Sequence, residues 1–133
     1  VTFIPPITLG TAGLLGLIYL ALTTAVVRGR FTSKVMLGDG AGTPGGEGLH
    51  VAVRAHGNFA EYVPLALILL GGIEAAGAPR WLVLLLAAML IIGRLAHPFG
   101  LSRPAPNPLR AGGAMLTWIM IGIASITALV IAL

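Results

Sequence analysis

Four apolar stretches, each about as long as a helix that crosses a bilayer, leave this chain few ways to fold. They run from about Phe3 to Val27, Leu49 to Ala76, Arg80 to Phe99 and Pro108 to Leu133, and about twenty residues span a hydrocarbon core of about 30 Å. Lipid offers no partner for a backbone N–H or C=O, so such spans must be helices. Between them the residues signal turns. Leu37 to Gly48 is dense in glycine, Gly77-Ala78-Pro79 is short enough to make its flanking helices antiparallel neighbours, and 100–107 is broken by prolines. The expected fold is an all-α integral membrane four-helix bundle, one domain over 1–133, with connecting loops 28–48 and 100–107.

Composition agrees and narrows the chemistry. Hydrophobic residues make up 57% of the chain and charged residues only 9%, where a soluble domain carries about 25% charged. The absence of cysteine excludes disulfides, thiolate metal sites and a cysteine nucleophile, so any thiol chemistry must use a thiol brought from outside. No metal site is expected. The net charge of +4 is spread over helix ends without an aromatic-rich basic patch, which excludes nucleic acid as a partner. The glycine-rich loop lacks the Gly-Lys-Ser/Thr ending of a phosphate-binding loop; Asp39 is its one candidate for chemistry.

Arg28, Arg30 and Lys34 follow the first stretch rather than precede it, so it reads as a retained span and not a secretory leader. With Arg103 and Arg110 they place five basic residues in or beside loops 28–48 and 100–107, against Arg80 on the other side. The positive-inside rule then puts these loops in the cytoplasm and both termini outside.

Ionisable residues within a span need a reason. Arg54, Asn58 and Glu61 stand at i, i+4 and i+7, one stripe roughly 10 Å long on a helix rising 1.5 Å per residue. Arg94 and His97, at i and i+3 on the third span, form a matching stripe at the same level. Each has a plainer reading: Arg54 snorkelling to the interface, Asn58 as interhelical glue, His97 as a hydrogen-bonded buried histidine. Glu61 needs a cation or a proton, with Arg94 as the expected partner, and that pair alone fits a structural ion pair as well as a site. Pro64, near one turn later, is expected to loosen the helix and help open a cavity. Gly10, Gly13 and Gly16 on the first span and Gly112, Gly113, Gly122 and Ala124 on the fourth favour close helix contacts, for which packing within the chain suffices.

The segment Arg54-Ala-His-Gly-Asn58-Phe-Ala-Glu61-Tyr62 resembles the Arg-x-x-x-Asn-x-x-Glu signature of the membrane-associated proteins in eicosanoid and glutathione metabolism, the MAPEG family. Gly93-Arg94-Leu-Ala-His97 is similar to that family's third-helix motif, and the wording around both looks most like the bacterial branch. The resemblance covers nearly the whole chain. It implies a homotrimer in a bacterial inner membrane, with glutathione as co-substrate between subunits near the cytoplasmic face. Arg54, Asn58, Glu61, Tyr62, Arg94 and His97 match family contacts to the tripeptide, and Arg28 would reach over from a neighbouring subunit. Arg110 matches by position the arginine that stabilises the thiolate, with Arg103 as a second candidate. The implied activity is that of a transferase or peroxidase acting on lipophilic electrophiles or hydroperoxides arriving through the membrane lipid.

The chain also departs from the family. Leu101 stands where several members carry a tyrosine, and Ala111, not a hydroxyl residue, follows Arg110. A non-catalytic scaffold or accessory subunit of a larger membrane complex is therefore the alternative, because a fold can outlive its chemistry. A proton or ion path through Glu61, Arg94 and His97 is disfavoured, since the other half of the membrane offers only Glu74.

Overall fold

A computed structural model describes residues 5–133. Four helices follow one another: α1 (Pro6–Ser33), α2 (Glu47–Ala75), α3 (Arg80–Leu101) and α4 (Pro108–Ala132). All four are long and apolar enough to cross a membrane. The expected start of the first span at Phe3 lies outside the described residues. α1 also runs beyond the expected end at Val27, because Arg28 to Ser33 end the apolar signal without containing a proline, and the helix continues through Gly29.

Each helix buries a narrow seam. On α2 it is Ala55, Phe59, Val63, Ala66, Leu70 and Ile73; on α4 it is Gly113, Thr117, Met120 and Ala124. Spacings of three and four keep such residues on one side of a helix with 3.6 residues per turn. The seams meet in a core that includes Leu70, Leu86, Leu90 and Met120. α1 buries only Thr8, Thr11 and Leu15 and leans mainly on α2, while α3 and α4 pack most extensively.

Small residues set that last contact. A Cβ on Gly93 would lie 2.8 Å from the Gly113 carbonyl oxygen and 2.9 Å from Thr117 Oγ1, and one on Gly100 would collide with the backbone of Arg110. The glycines of α1 behave differently. Gly10, Gly13 and Gly16 have nothing within 4 Å of a Cβ position, nor do Gly112 and Gly122 on α4. Packing within the chain thus explains Gly113 and Ala124 but not the α1 row.

The α2–α3 turn closes as a Schellman motif. Gly77, at φ +85°, donates its N–H to Glu74 O, and Ala78 donates to Ile73 O, in a left-handed position that glycine takes without a Cβ penalty. α2 runs unbroken through Pro64, and the proline lines a nearly apolar groove of about 340 Å³ between α1 and α2.

Candidate functional site

Arg94 organises the basic end of the bundle. It is 2% exposed, on α3 beside Gly113 of α4. Nη1 donates to Asn58 Oδ1 at 2.8 Å and Nη2 to the Gly113 carbonyl at 3.3 Å. Nε has no partner among the described residues. The guanidinium carbon lies 5.9 Å from the ring centroid of Tyr62, within cation–π range, and that ring stands 6.5 Å from Trp118.

The expected Glu61–Arg94 pair does not form. Arg94 takes Asn58 instead, and the only ion pair among the described residues joins His50 to Asp39. Helix geometry explains the exchange. At 100° per residue, Arg54 and Glu61 lie within about 20° of each other, while Asn58 and Tyr62 are turned by about 40° and 80° from Arg54 toward the buried seam. One edge of the stripe therefore enters the bundle, and Arg54 and Glu61 remain exposed on its outer face.

His97 is buried on the same face of α3 as Arg94. It shares a cavity of about 410 Å³ with Asn58, Asn107, Arg110, Ala114 and Trp118. Arg110 stands in the first turn of α4, whose start is fixed by Asn107: its Oδ1 accepts the Leu109 N–H at 2.9 Å, with Pro108 beginning the helix. The cavity is polar where α2, α3 and this N-terminus meet and apolar along Ala111, Ala114 and Trp118.

The candidates thus divide into three groups. Asn58, His97 and Arg110 line one cavity, with Arg94 and Tyr62 bonded or stacked behind it. Arg54 and Glu61 share the outer face of α2. Arg28 is exposed near the end of α1 and lines none of the cavity. Sequence reading missed Trp118 and Asn107. Asn107 before Pro108 is an N-cap signal visible in the sequence, whereas Trp118, at i+8, is turned about 80° from Arg110 and joins the cavity only in the fold.

Outside the spans, Asp39 orders the glycine-rich loop. Its carboxylate accepts the Ala41 N–H at 3.0 Å and lies 3.0 Å from His50 Nδ1. The Ala41 hydrogen bond, helped by His50, holds the Asp39 carboxyl below its ordinary range despite an opposing desolvation effect.

These features define a class, a four-span membrane bundle with a polar cavity at its basic end. The chain belongs to the MAPEG family, whose family model matches residues 8–130. It is 36% identical over 107 residues to the inner membrane protein YecN of Escherichia coli strain K12, covering 80% of this chain and 78% of that protein. It is equally similar to the YecN of strain O6:H1. No solved structure matches the chain significantly.

Proposed function

We propose that this protein is a glutathione-dependent membrane transferase or peroxidase acting on lipophilic electrophiles or hydroperoxides, located in a bacterial inner membrane like its relative. One observation carries the reading: among the described residues, the buried cation Arg94 has no partner for its Nε–H and no carboxylate in pairing distance. A buried charge without a counterion is costly. Glutathione carries two carboxylates, which could compensate for the cation from the cavity that Asn58 and His97 line. Family membership supports the same choice.

Within this reading Arg110 acts on the thiol. A guanidinium at a helix N-terminus favours the thiolate over the thiol, through its own charge and the aligned backbone dipoles. The proton leaves to solvent. The sulfur then forms a bond to an electrophilic carbon as the leaving group departs, or takes the terminal oxygen of a hydroperoxide as the O–O bond breaks and the alkoxide leaves to be protonated to the alcohol; the resulting sulfenic acid condenses with a second glutathione to give the disulfide and water. The apolar side of the cavity, at Ala114 and Trp118, faces the route by which a lipophilic partner arrives.

Arg54 and Glu61 gain a role if the protein is a homotrimer. A carboxylate well inside a span, 14 residues after the start of α2 at Glu47, cannot rest in hydrocarbon, and a neighbouring subunit would cover it, with that subunit's Arg28 adding a cation and Glu61 receiving the glutathione ammonium. The uncovered row Gly10, Gly13 and Gly16 is a surface suited to such contact. The same row favours the second reading, a scaffold subunit of a larger membrane complex.

An ultraviolet difference titration with glutathione in detergent tests the proposal. A saturable thiolate absorbance, lost in Arg110→Ala while calorimetric binding persists, is the expected result. No signal and no binding heat at millimolar glutathione would overturn it, and stoichiometric copurifying proteins would then favour the scaffold.

A further inference from the structure

α1, like the 29-residue α2, is longer than the hydrocarbon that α3 spans. α3 has 22 residues, about 33 Å at 1.5 Å per residue, which matches a hydrocarbon core of about 30 Å. α1 has 28 residues, about 42 Å by the same rise. The two helices start level, since Pro6 and Ile7 line one small cavity with Ala78 and Arg80. A tilt of about 20° would shorten the reach by only about 3 Å. The excess therefore emerges at the basic end, in the headgroup layer.

That overhang carries apolar side chains where hydrocarbon is no longer expected. Phe31 is 71% exposed, Met36 59% and Leu37 90%. Arg28 and Lys34 stand three residues either side of Phe31, both exposed and neither in an ion pair among the described residues. The backbone that presents them is held in shape. Arg30 Nη1 donates to the carbonyls of Val35, Met36 and Gly38 at 3.4, 3.3 and 2.9 Å, and Lys34 ends the helix in the left-handed region at φ 59°. Arg30 thus commits Nη1 inside the chain and leaves Met36 and Leu37 outward, while Arg28 and Lys34 form no ion pair among the described residues.

We propose that Arg28–Gly38 is a docking surface for acidic phospholipid headgroups of the leaflet at the basic end. Lys34 meets the phosphates, and Phe31, Met36 and Leu37 enter between the headgroups as far as the upper acyl chains. Charge complementarity selects this occupant. The carboxylates nearest in sequence are Asp39, already bonded to Ala41 and His50, and Glu47, at the start of α2. A basic surface with apolar side chains between its cations suits an anionic interface. The inference stands apart from the glutathione reading.

The test uses the full chain in nanodiscs with Leu37→Trp as the sole tryptophan, Trp81 and Trp118 being replaced by phenylalanine. Expected are a blue-shifted emission and strong quenching by phospholipid brominated high on its acyl chain. Adding phosphatidylglycerol to phosphatidylcholine should strengthen the quenching, and native mass spectrometry should show phosphatidylglycerol retained. Because Arg28 is also assigned to a neighbour's ligand, the charge test uses Lys34→Gln, which should lower retention about fivefold. Quenching by aqueous iodide instead would place the segment in water and overturn the proposal. Protection from both quenchers would overturn it in favour of a second copy of the chain.

Discussion

Glu74 and Arg94 are both charged, both buried and at opposite ends of the bundle, yet their surroundings differ. Glu74 is 7% exposed and accepts the N–H groups of Ile7 at 2.9 Å and Thr8 at 2.7 Å. α1 has no acidic residue in its first turn and no side-chain N-cap, so a carboxylate from α2 supplies what its own sequence lacks. The charge meets the positive end of the helix dipole and two otherwise orphaned donors. Arg94 keeps a donor unused and faces partners that carry no charge. Both Glu74 carboxylate oxygens are bonded, although the neighbouring Thr8 Oγ1 has no partner among the described residues, and this arrangement holds the fold together; Arg94 keeps a charged donor open to a ligand.

The contrast breaks most readily at the level of stability. Glu74→Ala should remove two charge-assisted hydrogen bonds and cost about 3 kcal/mol or more, seen as a large fall in Tm, while the folded fraction binds glutathione as before. Arg94→Met should do the reverse. Exchanging an uncompensated buried charge for an apolar side chain of similar length is often neutral or stabilising, so Tm should hold or rise. Glutathione affinity should fall about tenfold to a hundredfold, the 1.5–3 kcal/mol of a hydrogen bond to a charged group. Equal losses of Tm in the two variants would show that Arg94 is as structural as Glu74.

A smaller effect should appear at the seam that positions Arg94 and His97. Gly93→Ala would force α3 from α4, at about 1–3 kcal/mol for an overpacked contact, whereas Gly13→Ala on the uncovered row should leave the monomer unchanged. A thermal scan of both separates packing within the chain from packing between chains. On the outer face of α2, Arg54→Ala and Glu61→Gln should each weaken glutathione binding several-fold with little change in Tm. Unchanged calorimetric affinity in both would remove that face from the site.

These outcomes also mark what was legible in the sequence. Span number, span order and the short α2–α3 turn follow from apolar run length and punctuation, because a bilayer permits little else. The end of α1 did not, since Arg28 to Ser33 end a hydropathy signal without ending a helix. Spacing brought Arg54, Asn58 and Glu61 onto one stripe and Arg94 and His97 onto another. It could not say which edge of the first stripe turns inward, because the position of α3 decides that; hence Arg94 bonds Asn58 and not Glu61. The role of Glu74 was hidden for a similar reason. It depends on the start of α1 lying beside the end of α2, a contact between residues 66 and 67 positions apart.

The glycine-rich loop offers the mildest test, a carboxylate that is satisfied like Glu74 but lies near the surface at the basic end. Asp39 has a carboxyl pKa lowered from 3.8, first by the Ala41 N–H and then by His50. A depressed folded-state pKa stabilises the loop at pH values above the unfolded pKa, and this contribution is lost as pH falls through the folded value. Hydrogen exchange at the Ala41 amide, corrected for its intrinsic pH dependence, should therefore be constant from neutral pH to about 5 and lose protection below about 4. The bundle amides should not respond. Asp39→Ala should show the unprotected rate at every pH, and Asp39→Asn, which keeps an acceptor for Ala41, an intermediate rate without the acid transition. An acid transition that survives in Asp39→Asn would assign the titration to another group and leave Asp39 as a turn residue only.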